Sequence, residues 1–344
     1  MYGVVRRIFR NERLPILVLT LMVGIGIGYG ASFAQSQFQQ QVLQTSFYPL
    51  RSNDSSFSFT HPLIAYETPQ ATTLPEYADL KRKVESLIKK LEAEGNAETV
   101  SVHYRDIEKG RWIGINDDIA YHPASLLKVP LMIAYFKARE SNPSLFKRQI
   151  IFKPVSGGAQ FEAPTQLVVG KAYTVQKLIE SMIVDSDNGA TFTLFALIDP
   201  DLLTNVYRRL GITDPGDDSS TYRITGKTYA LFFRTLYNGT YLTPSASEEA
   251  LALLARATYK DGLVAGIPKG TVVAHKFGEH IITNAEGAPQ GEELHDCGIV
   301  YRPNRPYLLC VMTRAKSVEG AQSVISQISR LIYENESEIV TQGQ

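Results

Sequence analysis

The chain has 344 residues, 44% of them hydrophobic, which is enough to bury a substantial core. Lys plus Arg and Asp plus Glu both number 35, so the formal charge is zero, excluding the strongly basic balance of a nucleic-acid binder. The six histidines are scattered and neither C-x-x-C nor H-E-x-x-H occurs, so no metal-ligand cluster and no cofactor is implied.

At the N-terminus, Arg6, Arg7, Arg10 and Arg13 precede an uncharged stretch from Leu14 to Ala34. About 20 apolar residues suffice to cross a bilayer, and positive charge before them keeps the N-terminus inside. Residues 1–34 are therefore expected to be a cytoplasmic stub and membrane anchor, with everything beyond outside the cytoplasm. Ser32-Phe33-Ala34 has the small residues of a cleavage site, so secretion after cleavage is the alternative. A buried soluble helix is disfavoured because Gly24, Gly26, Gly28 and Gly30 each cost about 1 kcal/mol relative to Ala. Residues 35–78, rich in Gln, Ser, Thr and Pro, read as a polar linker.

Leu80, Val84, Leu87, Ile88 and Leu91 predict a helix over Asp79 to Glu94, stopped by Gly95-Asn96. Strands are expected at Thr99 to Asp106 and Arg111 to Asn116, joined through Glu108-Lys109-Gly110. Next, Ser125-Leu126-Leu127-Lys128 opens the run Val129 to Phe136, apolar enough for a fully buried helix with the serine near its N-terminus. A serine one helical turn before a lysine lets an amine take the hydroxyl proton, the first step of acyl transfer through a serine ester. The spelling S-x-x-K also occurs at Ser86 to Lys89 and Ser144 to Lys147, where an amphipathic helix and a Pro-containing break give it no special setting. From there to about residue 262 the pattern is mostly helical, interrupted by the polar turn Asp185-Ser186-Asp187-Asn188-Gly189. Thr271 to Lys276, Asp296 to Arg302 and Tyr307 to Thr313 read as strands, followed by a helix over Val318 to Tyr333 and a polar tail, 336–344. Cys297 and Cys310 flank the turn Arg302 to Pro306 as cross-strand neighbours. A bridge there is permitted by an oxidising compartment and not required, and directly opposed cysteines fit disulfide geometry poorly, so free thiols are the favoured expectation.

The ordered set Ser125-Leu126-Leu127-Lys128, Ser186-Asp187-Asn188 and Lys276-Phe277-Gly278, with His295 to Tyr301 as the strand after the lysine strand, resembles the penicillin-recognising serine hydrolases. The resemblance is closest to the class A β-lactamase family and spans about residues 79 to 335, one catalytic domain. It implies a mixed α/β (α+β) fold in which a five-stranded antiparallel sheet flanked by helices adjoins an all-helical lobe, with the site in the cleft between them. It also implies Ser125 as nucleophile, Lys128 as its base, Ser186 as proton relay and Lys276 as a second cation. Asn188, Phe277, Gly278 and Glu279 would contact substrate, with the backbone N–H groups of Ser125 and Glu279 as oxyanion hole.

Two positions depart from the family pattern. Phe277 stands where a Thr or Ser hydroxyl usually meets the substrate carboxylate, and a phenyl ring cannot donate. The stretch Leu210 to Thr221 looks shortened and lacks the Glu that activates the deacylating water, leaving Asp214, Asp217 and Asp218 as substitute bases or as turn-forming residues beside Pro and Gly. The expectation is a membrane-anchored, monomeric serine hydrolase acting on a β-lactam or a peptidoglycan-like peptide, with slow deacylation. A D-Ala-D-Ala peptidase or transpeptidase and a non-catalytic cell-wall-binding module are the alternatives.

Overall fold

A computed structural model describes residues 58–61, 75–153, 167–216 and 219–341. The expected anchor, 14–34, lies outside the described residues, among which no helix is long and apolar enough to cross a membrane. Helix α1, Pro75–Ala93, starts a turn before the expected Asp79 and buries Leu80, Val84, Ile88 and Leu91 at helical spacing. Strands β1, Thr99–Asp106, and β2, Trp112–Ile115, pair antiparallel, as do β7, Val272–Thr283, β8, Pro289–Tyr301, and β9, Tyr307–Ala315. They form one five-stranded sheet in the order β2-β1-β9-β8-β7, closed by pairing of the first strand with the last. Helix α8, Val318–Thr341, runs on into the expected polar tail.

The sheet separates two cores because successive side chains of a strand point to opposite faces. On β9, Tyr307, Leu309 and Val311 join Leu80, Val84, Val324 and Ile328 of the terminal helices. The intervening Leu308, Cys310 and Met312 join the second core. That second core is shared with α2, Lys128–Ser141, α3, Val175–Val184, α4, Asn188–Phe195, α5, Pro200–Leu210, α6, Gly226–Asn238, and α7, Pro244–Leu254.

This middle region is helical as expected, but it also carries two short ladders that the sequence pattern does not reveal. β3, Ala120–Tyr121, pairs with β6, Ile224–Thr225, and β4, Gln149–Ile151, pairs with β5, Ala172–Thr174. Two and three residues are too few to show a period. The cysteines also correct the expectation of free thiols: Cys297 and Cys310 are direct partners in the β8–β9 register and are joined in a disulfide. Residues 58–61, inside the stretch read as linker, lie against the domain, with the backbone N–H groups of Ser58, Phe59 and Thr60 donating to the Glu248 carboxylate of α7.

Candidate active site

Ser125 does not sit on the helix proper. It occupies a 3-10 turn, Ala124–Leu127, that leads directly into α2 at Lys128, so serine and lysine straddle the junction. Pro130 explains why α2 begins here, since its ring fixes a helical φ and its missing N–H falls within the first turn, where such groups lack helical partners anyway. Ala124, immediately before the serine, holds φ +48°, a left-handed conformation costly for a residue with a Cβ. Several side chains hold this turn. Tyr229 of α6 donates to the Leu126 carbonyl at 3.0 Å, and Ala124 N–H donates to His122 Nδ1 at 3.1 Å.

Lys128 is buried and its amine has three acceptors: Ser186 O at 2.6 Å, Ser186 Oγ at 3.0 Å and Asn188 Oδ1 at 2.7 Å. Burial pulls it down from the ordinary lysine value to about 7, opposed by the charge of Asp187. Lys276, on the edge strand β7, is equally buried and donates to the same hydroxyl, Ser186 Oγ, at 2.8 Å, and to the Phe277 carbonyl at 3.1 Å. Burial, and then the neighbouring Lys128, lower Lys276 well below its ordinary value. Ser186 itself holds φ +56° in the connection between α3 and α4. Asp187 caps α4, its Oδ1 accepting from Ala190 N–H at 2.7 Å, which braces the turn that carries Ser186.

Four predicted positions thus share one hydrogen-bonded cluster: Lys128, Ser186, Asn188 and Lys276. Ser125 lines the same cleft, of about 570 Å³, with Glu279, Phe277 and Asp214. The other two S-x-x-K serines are exposed and away from it, Ser86 on α1 and Ser144 before a short 3-10 turn.

Gly278, expected to contact substrate, also has a packing reason to be glycine. A Cβ there would lie 2.6 Å from the Pro123 carbonyl oxygen and 3.2 Å from Leu126 N, so its absence lets β7 close on the serine turn. Phe277 belongs mainly to the core beneath the terminal helices. It is 5% exposed, stacked on Tyr259 with centroids 4.0 Å apart, and offers the Lys276 amine an aromatic face 4.3 Å away instead of a hydroxyl donor. Glu279 is half-buried and burial raises its carboxyl.

Asp214 lines the cleft while its Oδ1 accepts from Gly216 N–H at 2.9 Å, the turn-forming role weighed for it. Asp217 and Asp218 lie outside the described residues. The cleft also has an apolar wall, built from Leu131, Phe192, Phe195, Leu203 and Tyr207. Phe192 and Phe195 remain 43% and 52% exposed.

Sequence reasoning missed the residues that hold the serine turn from β8. Glu293 Oε2 accepts from His122 N–H at 3.0 Å, and His295 Nε2 meets the His122 carbonyl at 3.0 Å. The expected strand began at His295 or Asp296, so Glu293 fell outside it, and only the longer observed β8 puts the two residues on one face.

The sequence profile of the Beta-lactamase enzyme family matches residues 80–335. No curated protein sequence is significantly similar to the chain. Among solved structures, a mutant of PBP-A captured as an acyl-enzyme complex with penicillin G is 22% identical, with a TM-score of 0.62 over 79% of this chain and 100% of that one. A class A β-lactamase from Mycobacterium abscessus is 21% identical, with a TM-score of 0.62 over 75% of this chain and 99% of that one. A β-lactamase from Sphaerobacter thermophilus is 22% identical, with a TM-score of 0.60 over 74% and 97%. At these identities the likeness to solved structures concerns the fold.

Proposed function

The chain belongs to the Beta-lactamase enzyme family, serine hydrolases, and from that membership we propose that it forms an acyl-enzyme on Ser125 with β-lactams and hydrolyses them slowly. The observation that carries the reading is the Ser186 hydroxyl held between the amines of Lys128 and Lys276, at 3.0 and 2.8 Å, in the cleft that Ser125 lines.

A lysine with its value near 7 is substantially a neutral amine at neutral pH, able to accept the Ser125 proton as the oxygen attacks the acyl carbon. The proton then passes through Ser186 to the leaving nitrogen, while Lys276 stabilises charge on the Ser186 side. Negative charge on the tetrahedral intermediate falls to the backbone N–H groups of Ser125 and Glu279, positioned by the close approach of β7 to the serine turn. Asn188 offers its amide N–H to the substrate while its Oδ1 holds Lys128.

Deacylation needs a base beside the ester. Here the apolar wall of the cleft is Phe192, Phe195, Leu203 and Tyr207, and the only carboxylates among its described lining residues are Asp214 and Glu279. That wall also favours a second reading, a D-Ala-D-Ala carboxypeptidase or transpeptidase acting on peptidoglycan, in which a long-lived acyl-enzyme awaits an amine acceptor. On either reading we place the domain outside the cytoplasm, held by residues 14–34, with a single chain as the working unit.

Intact-mass spectrometry with a penicillin tests the proposal. An adduct mapping to Ser125, absent in Ser125→Ala, is expected within the mixing time and should decay slowly. An adduct on Ser86, Ser144 or Ser186, or none with several lactams, overturns it. Rapid turnover that is trapped as adduct in Asp214→Asn makes Asp214 the deacylating base.

A further inference from the structure

The main chain of His122, three residues before Ser125, is held at both its polar atoms by side chains from one face of β8. Glu293 accepts its N–H and His295 meets its carbonyl, each at 3.0 Å. Because a carbonyl only accepts, His295 Nε2 carries the proton, and its Nδ1 is left to accept the Thr313 N–H at 3.4 Å. Glu293 is fixed in turn by Arg314, whose Nη2 donates to Oε1 at 2.8 Å. The His122 ring completes the set in two directions. Its Nδ1 accepts from Ala124 N–H at 3.1 Å, and its face stacks on His280, with centroids 4.1 Å apart. His280 directly follows Glu279 on β7, so the stack ties together the two backbone segments that carry the oxyanion donors.

We infer that His295 and Glu293 are positioning residues for the nucleophile: through His122 they hold the left-handed Ala124 and thereby the Oγ and N–H of Ser125 in place for acylation. The inference rests on the acylation of Ser125 proposed above.

The Tyr229 bond and the Leu126 N–H to Pro123 carbonyl bond hold the turn from its far side, and the His122 bonds hold it from the side of Ala124, whose φ of +48° is costly with a Cβ; relaxation of Ala124 would rotate the next peptide plane, which contains the Ser125 N–H. The protonation states agree with the bonding. Burial holds His295 down at about 4, and burial with its neighbours His280 and Arg223 holds His122 at about 4, so both rings are neutral near pH 7 and the Nδ1 lone pair of His122 is available. Burial opposes the charge of Glu293, but the bonds from Arg314 and His122 N–H keep it below the usual carboxylate value.

The test uses the full chain and three variants. His295→Phe keeps a ring against Tyr121, 5.2 Å away, but loses the donor; His295→Gln restores one; Glu293→Ala removes the acceptor from the other side. Two measurements are made on each: the acylation rate constant and lactam dissociation constant from stopped-flow with a chromogenic lactam, and amide exchange of the peptide spanning 120–127. His295→Phe and Glu293→Ala should acylate about 10- to 100-fold more slowly, the scale set by displacing one oxyanion donor or misplacing a reacting atom, with lactam affinity within about 2-fold. Exchange across 120–127 should rise in both, and His295→Gln should recover most of the rate. Wild-type rates and exchange in both variants overturn the inference, as does a loss that falls equally on affinity and is not rescued by Gln. If the wild type is never acylated, the proposed function fails, and the exchange measurement alone decides whether β8 holds the turn.

Discussion

Lys128 has lost its solvent and its amine bonds to Ser186 O, Ser186 Oγ and Asn188 Oδ1 instead of a carboxylate, with Asp187 acting on it only through its charge. Burial therefore sets its value, about 7 against an ordinary 10.5, and the direction fixes the pH dependence. Below pH 7 the amine is protonated and donates to all three of its acceptors; above it, one lone pair becomes available. The acylation rate constant should rise about tenfold per pH unit below 7 and level off above, because only the unprotonated fraction acts as base. Stopped-flow acylation from pH 5 to 9 measures it, and a rate constant independent of pH over that range removes Lys128 as the titrating base. The residue types at this site were legible because three short motifs, each uninformative alone, occur in the order of the family they resemble. Glu293 and His295 were not legible, because what they hold lies about 170 positions away in sequence and no local pattern encodes that proximity.

Strand β7 and the serine turn meet so closely that one missing side chain decides the contact. Gly278→Ala would bring a Cβ to 2.6 Å from Pro123 O and 3.2 Å from Leu126 N, both backbone atoms that cannot swing aside. The strand or the turn must shift, so acylation should fall by about 100-fold, the cost of a displacement near 1 Å at a reacting centre. Thermal unfolding should fall with it, and overpacking of this kind costs about 1–3 kcal/mol. Wild-type acylation in Gly278→Ala would mean the turn is not set by this contact. At this scale β1 was predicted with its observed ends, because Thr99 to Asp106 is bounded by clear turn signals. β7 and β8 run well beyond the residues foreseen for them, through His280 and Glu292-Glu293. Charged side chains there break the apolar pattern, and ladder pairing such as Glu279 with Leu294 and His280 with Glu293 sustains the strands instead. The disulfide escaped for a related reason: cross-strand adjacency of Cys297 and Cys310 was foreseen, but the closure of opposed positions is a matter of three-dimensional detail.

For the whole molecule, residues 58–61 fasten a sequence-distant segment to the catalytic domain. One carboxylate, Glu248, receives the N–H groups of Ser58, Phe59 and Thr60 at 2.6 to 2.9 Å. The Phe59 carbonyl accepts from Tyr301 Oη at 2.8 Å, its ring packs edge-on to Tyr301, and His61 pairs with Glu108 at 2.9 Å while its N–H donates to the Tyr237 carbonyl. The strap thus joins α7, the end of β8 and the β1–β2 connection, parts the chain visits far apart. Nothing in its composition announced this, since backbone N–H groups belong to every sequence and the pair Glu248-Glu249 on a helix reads as surface. Hydrogen bonds to a charged acceptor contribute about 1.5–3 kcal/mol each, less where water competes, so Glu248→Ala should destabilise the full chain by about 2 kcal/mol. Phe59→Pro removes the N–H that both carboxylate oxygens share and should cost a similar amount. Because both changes undo one contact, the double variant should be no less stable than the worse single one, a coupling of at least about 1 kcal/mol. Denaturant unfolding of the four proteins measures the cycle. Additive losses would show that Glu248 stabilises α7 independently of the strap.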